Sequence, residues 1–382
     1  MTTWLAEFDR RIVVLVVSLL VLGAVLVHGA SAYSPGSADP GSFGALPAHL
    51  VRIGVALVAC LFVSQIDYRL VARYAEVGVF LALGALLMVE FGAFAFGNAG
   101  IDRWLNIAGI PFQPAEFAKI FLVLALPAWI DRDPGRLRGP FRSWAPIVAV
   151  PLVVGGLIAA QPNFGSALAL CLIVATILWI GGMPLRWVTA GTTVIVGAAW
   201  LAFTHHPKLI TRAEAWRNVF LRERTALDAD FQSFHAVMGM GNGGLFGVRA
   251  GEGITRFAFV PESDTDFVFA IAGEQFGFVG VVLVVLAFGL LVARGLKIAR
   301  VARDGHAYLT AIAVSTMIGV YAFLNLAMVS SLVPVMGLPL PFVSWGGTAL
   351  LTNMIGVGVL LNVARSVRRP RRVDARWQGA RA

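Results

Sequence analysis

The chain has 382 residues, of which 58% are hydrophobic and only 13% charged. Soluble domains carry roughly 25% charged residues, so a soluble core is excluded and the bilayer is the solvent. The formal charge of +9 does not point to nucleic acid, because the basic residues lie between apolar runs and not on one soluble face.

Apolar runs of about 20 residues are long enough to span a membrane. They predict helices near 11–33, 49–66, 74–96, 114–130, 144–161, 165–183, 187–203, 266–293, 308–332 and 345–364. The expected fold is an all-α polytopic membrane protein of about ten transmembrane helices, forming a single domain over 1–382. The first run follows Arg10 and Arg11 and ends in Ala30-Ser31-Ala32, which mimics a signal-peptide cleavage site. It exceeds the roughly 7 to 15 residues of a signal-peptide core, so it reads as an uncleaved first helix.

With the N-terminus inside, the cytoplasmic segments hold Arg10 and Arg11, Arg69 and Arg73, the arginines from Arg132 to Arg142, Arg186, and Arg294 to Arg303. A basic tail over about 365–382 joins them, which places most of the 30 lysines and arginines inside. Both termini are therefore expected in the cytoplasm, with anionic lipid headgroups as the partner of the tail. Cys60 and Cys171 lie in apolar runs and suggest neither a disulfide nor a metal site.

Between predicted helices 7 and 8 lies an external segment over about 204–265. At about 60 residues it is long enough to be a functional candidate. Ala213 to Arg224 is expected to form a short amphipathic surface helix with Trp216, Phe220 and Leu221 available for burial, followed by a glycine-rich turn through Gly239 to Gly247. His205, His206 and His235 lack ligand spacing and read as solvated.

Three places could carry chemistry, because ionisable groups at membrane helices are costly. The first is Arg103-Trp104 with Gln113-Pro114-Ala115-Glu116-Phe117-Ala118-Lys119. Pro114 suits a helix start, and Glu116 and Lys119 share a face three residues apart. They form either a mutual ion pair or a cationic face for an anionic ligand. The second is Glu262, Asp264 and Asp266, directly before the run opened by Phe267. Crowding and partial desolvation raise a carboxyl pKa and suit a general base, whereas the alternative is a solvated acidic helix cap. The third is Pro334 to Gly347, too rich in proline and glycine for regular helix. It is expected to line a cavity, where broken backbone is tolerated at membrane depth. Glu274, further along the eighth helix, reads as a buried hydrogen-bonded acid.

Together these places resemble the signature regions of the SEDS family, which includes RodA and FtsW. The resemblance is carried by Arg103-Trp104 with Gln113-Pro114-x-Glu116-x-x-Lys119, by Gln161-Pro162-x-x-Gly165, and by Pro261-Glu262-x-x-Thr265-Asp266-Phe267-x-Phe269. Asn325 completes it with Pro334-x-x-Gly337-x-Pro339-x-Pro341-x-x-Ser344-x-Gly346-Gly347. Asp264 stands where the family commonly has His, Asn163 where it has Asp, and Trp345 where it has Tyr.

The resemblance implies a peptidoglycan glycosyltransferase of the bacterial inner membrane that polymerises lipid II into β-1,4 glycan strands at the outer face. Asp266 matches the family's catalytic aspartate and would be the base. Arg103, Lys119, Arg212 and Arg217 would meet the diphosphate, and Gln113, Glu116, Ser344, Glu262 and Asp264 would complete the substrate site. A divalent cation, Mg or Mn, could accompany the diphosphate, though no dedicated cage is evident. The implied partner is a class B penicillin-binding protein, a transpeptidase. Asn325-x-x-Met328-Val329-Ser330 and Pro334-Val335 resemble RodA, for elongation, more than FtsW, for division. A lipid II flippase is the rival class, and a scaffold for wall synthesis a weaker third.

Overall fold

The structure, a computed structural model, describes residues 9–31, 46–91, 103–107, 110–205, 207–221, 228–248 and 265–368. Its helices are α1 (Arg10–Ser31), α2 (Leu46–Gln65), α3 (Tyr68–Glu90), α4 (Pro114–Asp131), α5 (Phe141–Ala160), α6 (Phe164–Ile180) and α7 (Leu185–His205). They continue with α8 (Pro207–Leu221), α9 (Asp228–Asn242), α10 (Val268–Arg300), α11 (Gly305–Val329) and α12 (Gly347–Arg368). A helix occupies each predicted span, and among the described residues 7 helices are long and apolar enough to cross a membrane. Helix α4 carries Glu116, Lys119 and Asp131, and α6 is a shorter apolar helix.

Local signals set the helix starts. The Asp67 side chain accepts the Arg69 N–H at the head of α3, Asp304 accepts that of Ala307 at the head of α11, and Pro114 opens α4 where its missing N–H costs nothing. In the spanning windows of α11 and α12, 72% and 83% of residues are buried, against 22% in α2 and α10. The first two therefore form the centre, against which α4 and α6 pack, and the others turn apolar faces such as Val51, Phe62, Phe80 and Leu283 outward as lipid requires.

Two features depart from the sequence expectation. A short antiparallel pair, β1 (Leu105–Ile107) with β2 (Ile110–Phe112), precedes α4. Among its described residues the external segment holds two helices, α8 and α9, where one surface helix and a tight glycine-rich turn were expected, and Gly239 and Gly241 are themselves helical. Among the described residues the turn occupies 243–248, and it docks on α10 at a break, where Gly277 has φ +64. There the amides of Phe278 and Val279 donate to Gly244 O and Leu245 O at 2.9 and 3.2 Å, and Val248 N–H donates to Glu274 O at 3.0 Å. The apolar run of 266–293 gave no sign of this break, because lipid-facing composition is the same on both sides of it. Glu274 is fully buried, as its position suggested.

Candidate functional site

Asp266 lies in the turn that leads into α10, half-buried, with Phe267 and Val268 packed into the core behind it. Its place is fixed from α11: the Asn325 side-chain amide donates to Asp266 O at 2.9 Å and to Leu338 O at 2.6 Å. One buried amide thus ties the Asp266 turn to the unwound segment between α11 and α12. Within that segment Gly337 adopts φ +68, and a Cβ there would lie 3.4 Å from Asp266 Oδ2. The Asp266 carboxyl therefore rests against bare backbone.

The Gln161-Pro162 turn closes on the same segment. A Cβ on Gly165 would stand 2.4 Å from Met336 O, a contact that only glycine permits. The Gln161 amide donates to Leu86 O at 3.1 Å, anchoring the turn to α3, and the Gln161 and Pro162 carbonyls accept from the Arg103 guanidinium, at 3.1 Å for Nε. Arg103 is presented by the chain entering β1.

Arg212 joins from α8, which is held by the Trp216 indole donating to Ser331 O at 2.7 Å and by buried Leu209. Burial lowers the pKa of Arg103, the charge of Arg212 lowers it further, and Asp266 opposes both. Burial likewise lowers that of Arg212, again opposed by Asp266. Among the described residues two partly desolvated guanidiniums and one carboxyl therefore share a field, with an excess of positive charge suited to an anion of more than one charge.

The remaining predicted residues fall elsewhere. Lys119 is 1% exposed and Glu116 2%; they pair with each other, Lys119 Nζ lies 3.9 Å from the centre of the Tyr321 ring, and the Thr352 hydroxyl donates to Glu116 at 3.3 Å. This is the mutual ion pair, not a cationic face turned to a ligand, because burial commits each charge to the other. Tyr321 hydrogen-bonds with Ser166, so the pair braces α4, α6, α11 and α12. Ser344 is also buried. Its hydroxyl accepts the Leu340 N–H at 2.8 Å, folding the unwound segment instead of facing the Asp266 site. Gln113 caps α4 without a side-chain bond, and Arg217 is exposed on α8. Glu262 and Asp264 lie outside the described residues, as does His206. Trp216 and the backbone role of Asn325 were not legible as site features, since neither a half-buried indole nor a donor to carbonyls has a spacing signature.

Among the described residues no three His, Cys, Asp or Glu side chains group as a metal cage. Glu262 and Asp264, the carboxylates that would extend Asp266 into an oxygen-ligand set for a divalent cation, lie outside those residues.

Comparison with known proteins places this geometry in context. The model of the FtsW/RodA/SpoVE family, described as cell cycle protein, matches residues 10–369. A probable peptidoglycan glycosyltransferase FtsW of Trichlorobacter lovleyi is 30% identical over 364 residues, 95% of each chain. The stage V sporulation protein E of Bacillus subtilis is 28% identical over 366 residues, 96% of this chain and 99% of its own. Among solved structures, one of a peptidoglycan synthase complex that coordinates polymerization and crosslinking superposes with TM-score 0.75 at 26% identity, over 95% of this chain and 99% of that one. The rod shape determining protein RodA of Thermus thermophilus superposes with TM-score 0.68 at 27% identity, over 96% of this chain and 100% of its own. The named curated relatives are thus an FtsW glycosyltransferase and a sporulation protein, and a named structural relative is RodA.

Proposed function

The chain belongs to the FtsW/RodA/SpoVE family as a multi-pass peptidoglycan glycosyltransferase of the inner membrane, and on that premise we propose that Asp266 is its general base and lipid II its substrate. With N- and C-termini inside, Asp266 stands at the outer surface, where a lipid-linked sugar projects from the bilayer. The Asp266 carboxylate takes the proton of the acceptor's N-acetylglucosamine 4-hydroxyl. That oxygen forms a bond to the anomeric carbon of the donor as the bond to the α-linked diphosphate breaks. Undecaprenyl diphosphate leaves, and the configuration inverts to β-1,4.

Arg103 and Arg212 neutralise the charge that builds on the leaving diphosphate, in a setting where partial desolvation strengthens the attraction. The observation that carries the reading is the shared field of Asp266, Arg103 and Arg212 at one end of α10. Glu116 and Lys119 enter as the brace beneath the site. A class B penicillin-binding protein is the proposed partner, in keeping with the crosslinking that accompanies polymerization in the related synthase complex.

The test is polymerisation of purified lipid II by the chain with its cognate transpeptidase. Asp266→Asn is expected to lose about 10²- to 10⁴-fold, the usual share of a general base. Retention of wild-type rate by Asp266→Asn, with loss in Asp264→Asn instead, would move the base to Asp264. The motif at Asn325 to Val335 favours elongation. Rounding of depleted cells would support that role, and filamentation would assign division in its place.

A further inference from the structure

We infer that the end of the bundle opposite Asp266 holds one anionic phospholipid of the cytoplasmic leaflet, in a notch of about 580 Å³ between α1 and α10. Its cations are Arg10 and Arg11 from α1 and Arg294 and Lys297 from α10. Its apolar walls are Val14 and Leu15 from α1 and Leu290 from α10. On each helix these residues recur at helical spacing, so both walls run from cationic at the helix end to apolar one turn deeper. A phospholipid has the same order, phosphate above hydrocarbon. Val14 is 53% exposed and Leu290 57%, so the deeper half is open to an acyl chain.

One of the four cations is already committed. Arg294 donates to Asp9 Oδ2, at 3.0 Å for Nε, and Asp9 is 2% exposed. Arg10, Arg11 and Lys297 form no salt bridge among the described residues. Residues 1–8, which include Glu7, lie outside them. Arg294 thus locks α1 to α10 and leaves three like charges around one opening, an arrangement that a phosphate headgroup stabilises. Basic pockets between spanning helices on the cytoplasmic side are suited to anionic headgroups, and the apolar walls distinguish a lipid from a soluble anion. The leaflet rests on the N-in orientation proposed above, whereas the binding does not.

Native mass spectrometry of the full chain in detergent, with phosphatidylglycerol or phosphatidylcholine added, tests this. The wild type is expected to retain one phosphatidylglycerol in about tenfold preference to phosphatidylcholine, and Arg10→Gln/Arg11→Gln/Lys297→Gln to lose that preference. Because removing charge near the first helix can disturb insertion, two milder variants accompany it. Lys297→Gln should weaken retention about threefold, and Leu290→Trp, with every charge kept, should weaken it by filling the apolar half. Equal retention of both lipids, or wild-type retention by Lys297→Gln and Leu290→Trp, would overturn the site. Displacement of the lipid by equimolar glycerol phosphate would overturn it in favour of a plain anion site.

Discussion

Asn325 holds Asp266 by its backbone, not its carboxylate: the side-chain amide donates to Asp266 O at 2.9 Å and to Leu338 O at 2.6 Å. The acid is therefore positioned from α11 through its carbonyl, while its carboxylate shares a field with Arg103 and Arg212.

Asn325→Asp keeps the shape and removes both donations. Two carbonyls lose a partner and a buried carboxyl faces them, so stability should fall by about 1–3 kcal/mol. Polymerisation should fall further than stability, by about 10²-fold, the scale on which an ångström of displacement acts. Thermal unfolding in detergent beside lipid II turnover checks this. Equal effects on the two readouts would leave Asn325 a purely structural residue.

Gly337→Ala places a methyl against Asp266 Oδ2 at a backbone of φ +68. The left-handed conformation costs a side-chain residue about 1–2 kcal/mol. The expected outcome is a mild loss of thermal stability with a marked loss of turnover, because the methyl confines the carboxyl from one side. Wild-type turnover by Gly337→Ala would mean that Asp266 works from a position away from this wall.

Trp216→Phe keeps the ring and removes the indole bond to Ser331 O, a loss of about 1 kcal/mol. Arg212 lies one helical turn away on α8, so the rate at subsaturating lipid II should drop about fivefold. In an Arg212→Ala background the same change should add little, since Trp216 acts on turnover by placing Arg212. Additive losses in a double-mutant cycle would separate Trp216 from Arg212.

Lys119→Met leaves Glu116 buried without its partner and should cost about 3–5 kcal/mol. Glu116→Gln/Lys119→Met should recover much of that stability, as replacing both members of a buried pair often does. Denaturation of the single and double variants decides it. If the double variant were as unstable as the single, the pair would not be the brace that its burial indicates.

How much of this was legible depended on the kind of signal. The span positions followed from apolar runs, because lipid imposes a length and a composition that a sequence displays directly. Asp266 and Arg103 could be nominated as costly charges at membrane edges, whereas Arg212 and the meeting of all three came only from the family resemblance: Arg103 precedes a hairpin and Arg212 comes from a helix held by a separate anchor, and no spacing joins them. Lys119 shows the opposite failure. A lysine three residues from a glutamate has the same spacing whether the pair faces a ligand or is sealed, and only Tyr321 and Thr352, distant in sequence, decide which. The break at Gly277 was hidden for a third reason, since its partners are amides and carbonyls that every residue possesses.

That break carries a consequence for how the chain assembles. An unsatisfied peptide group costs several kcal/mol in hydrocarbon, yet Phe278 and Val279 take their acceptors from Gly244 and Leu245. Helix α10 thus cannot settle in the membrane in this shape until the 243–248 turn has clasped it, although the turn precedes it in the chain. The clasp makes the α9 end of the external segment a fixed pivot, so any swing that brings Arg212 toward or away from a diphosphate must be taken up at the α8 end, where Trp216 is the latch.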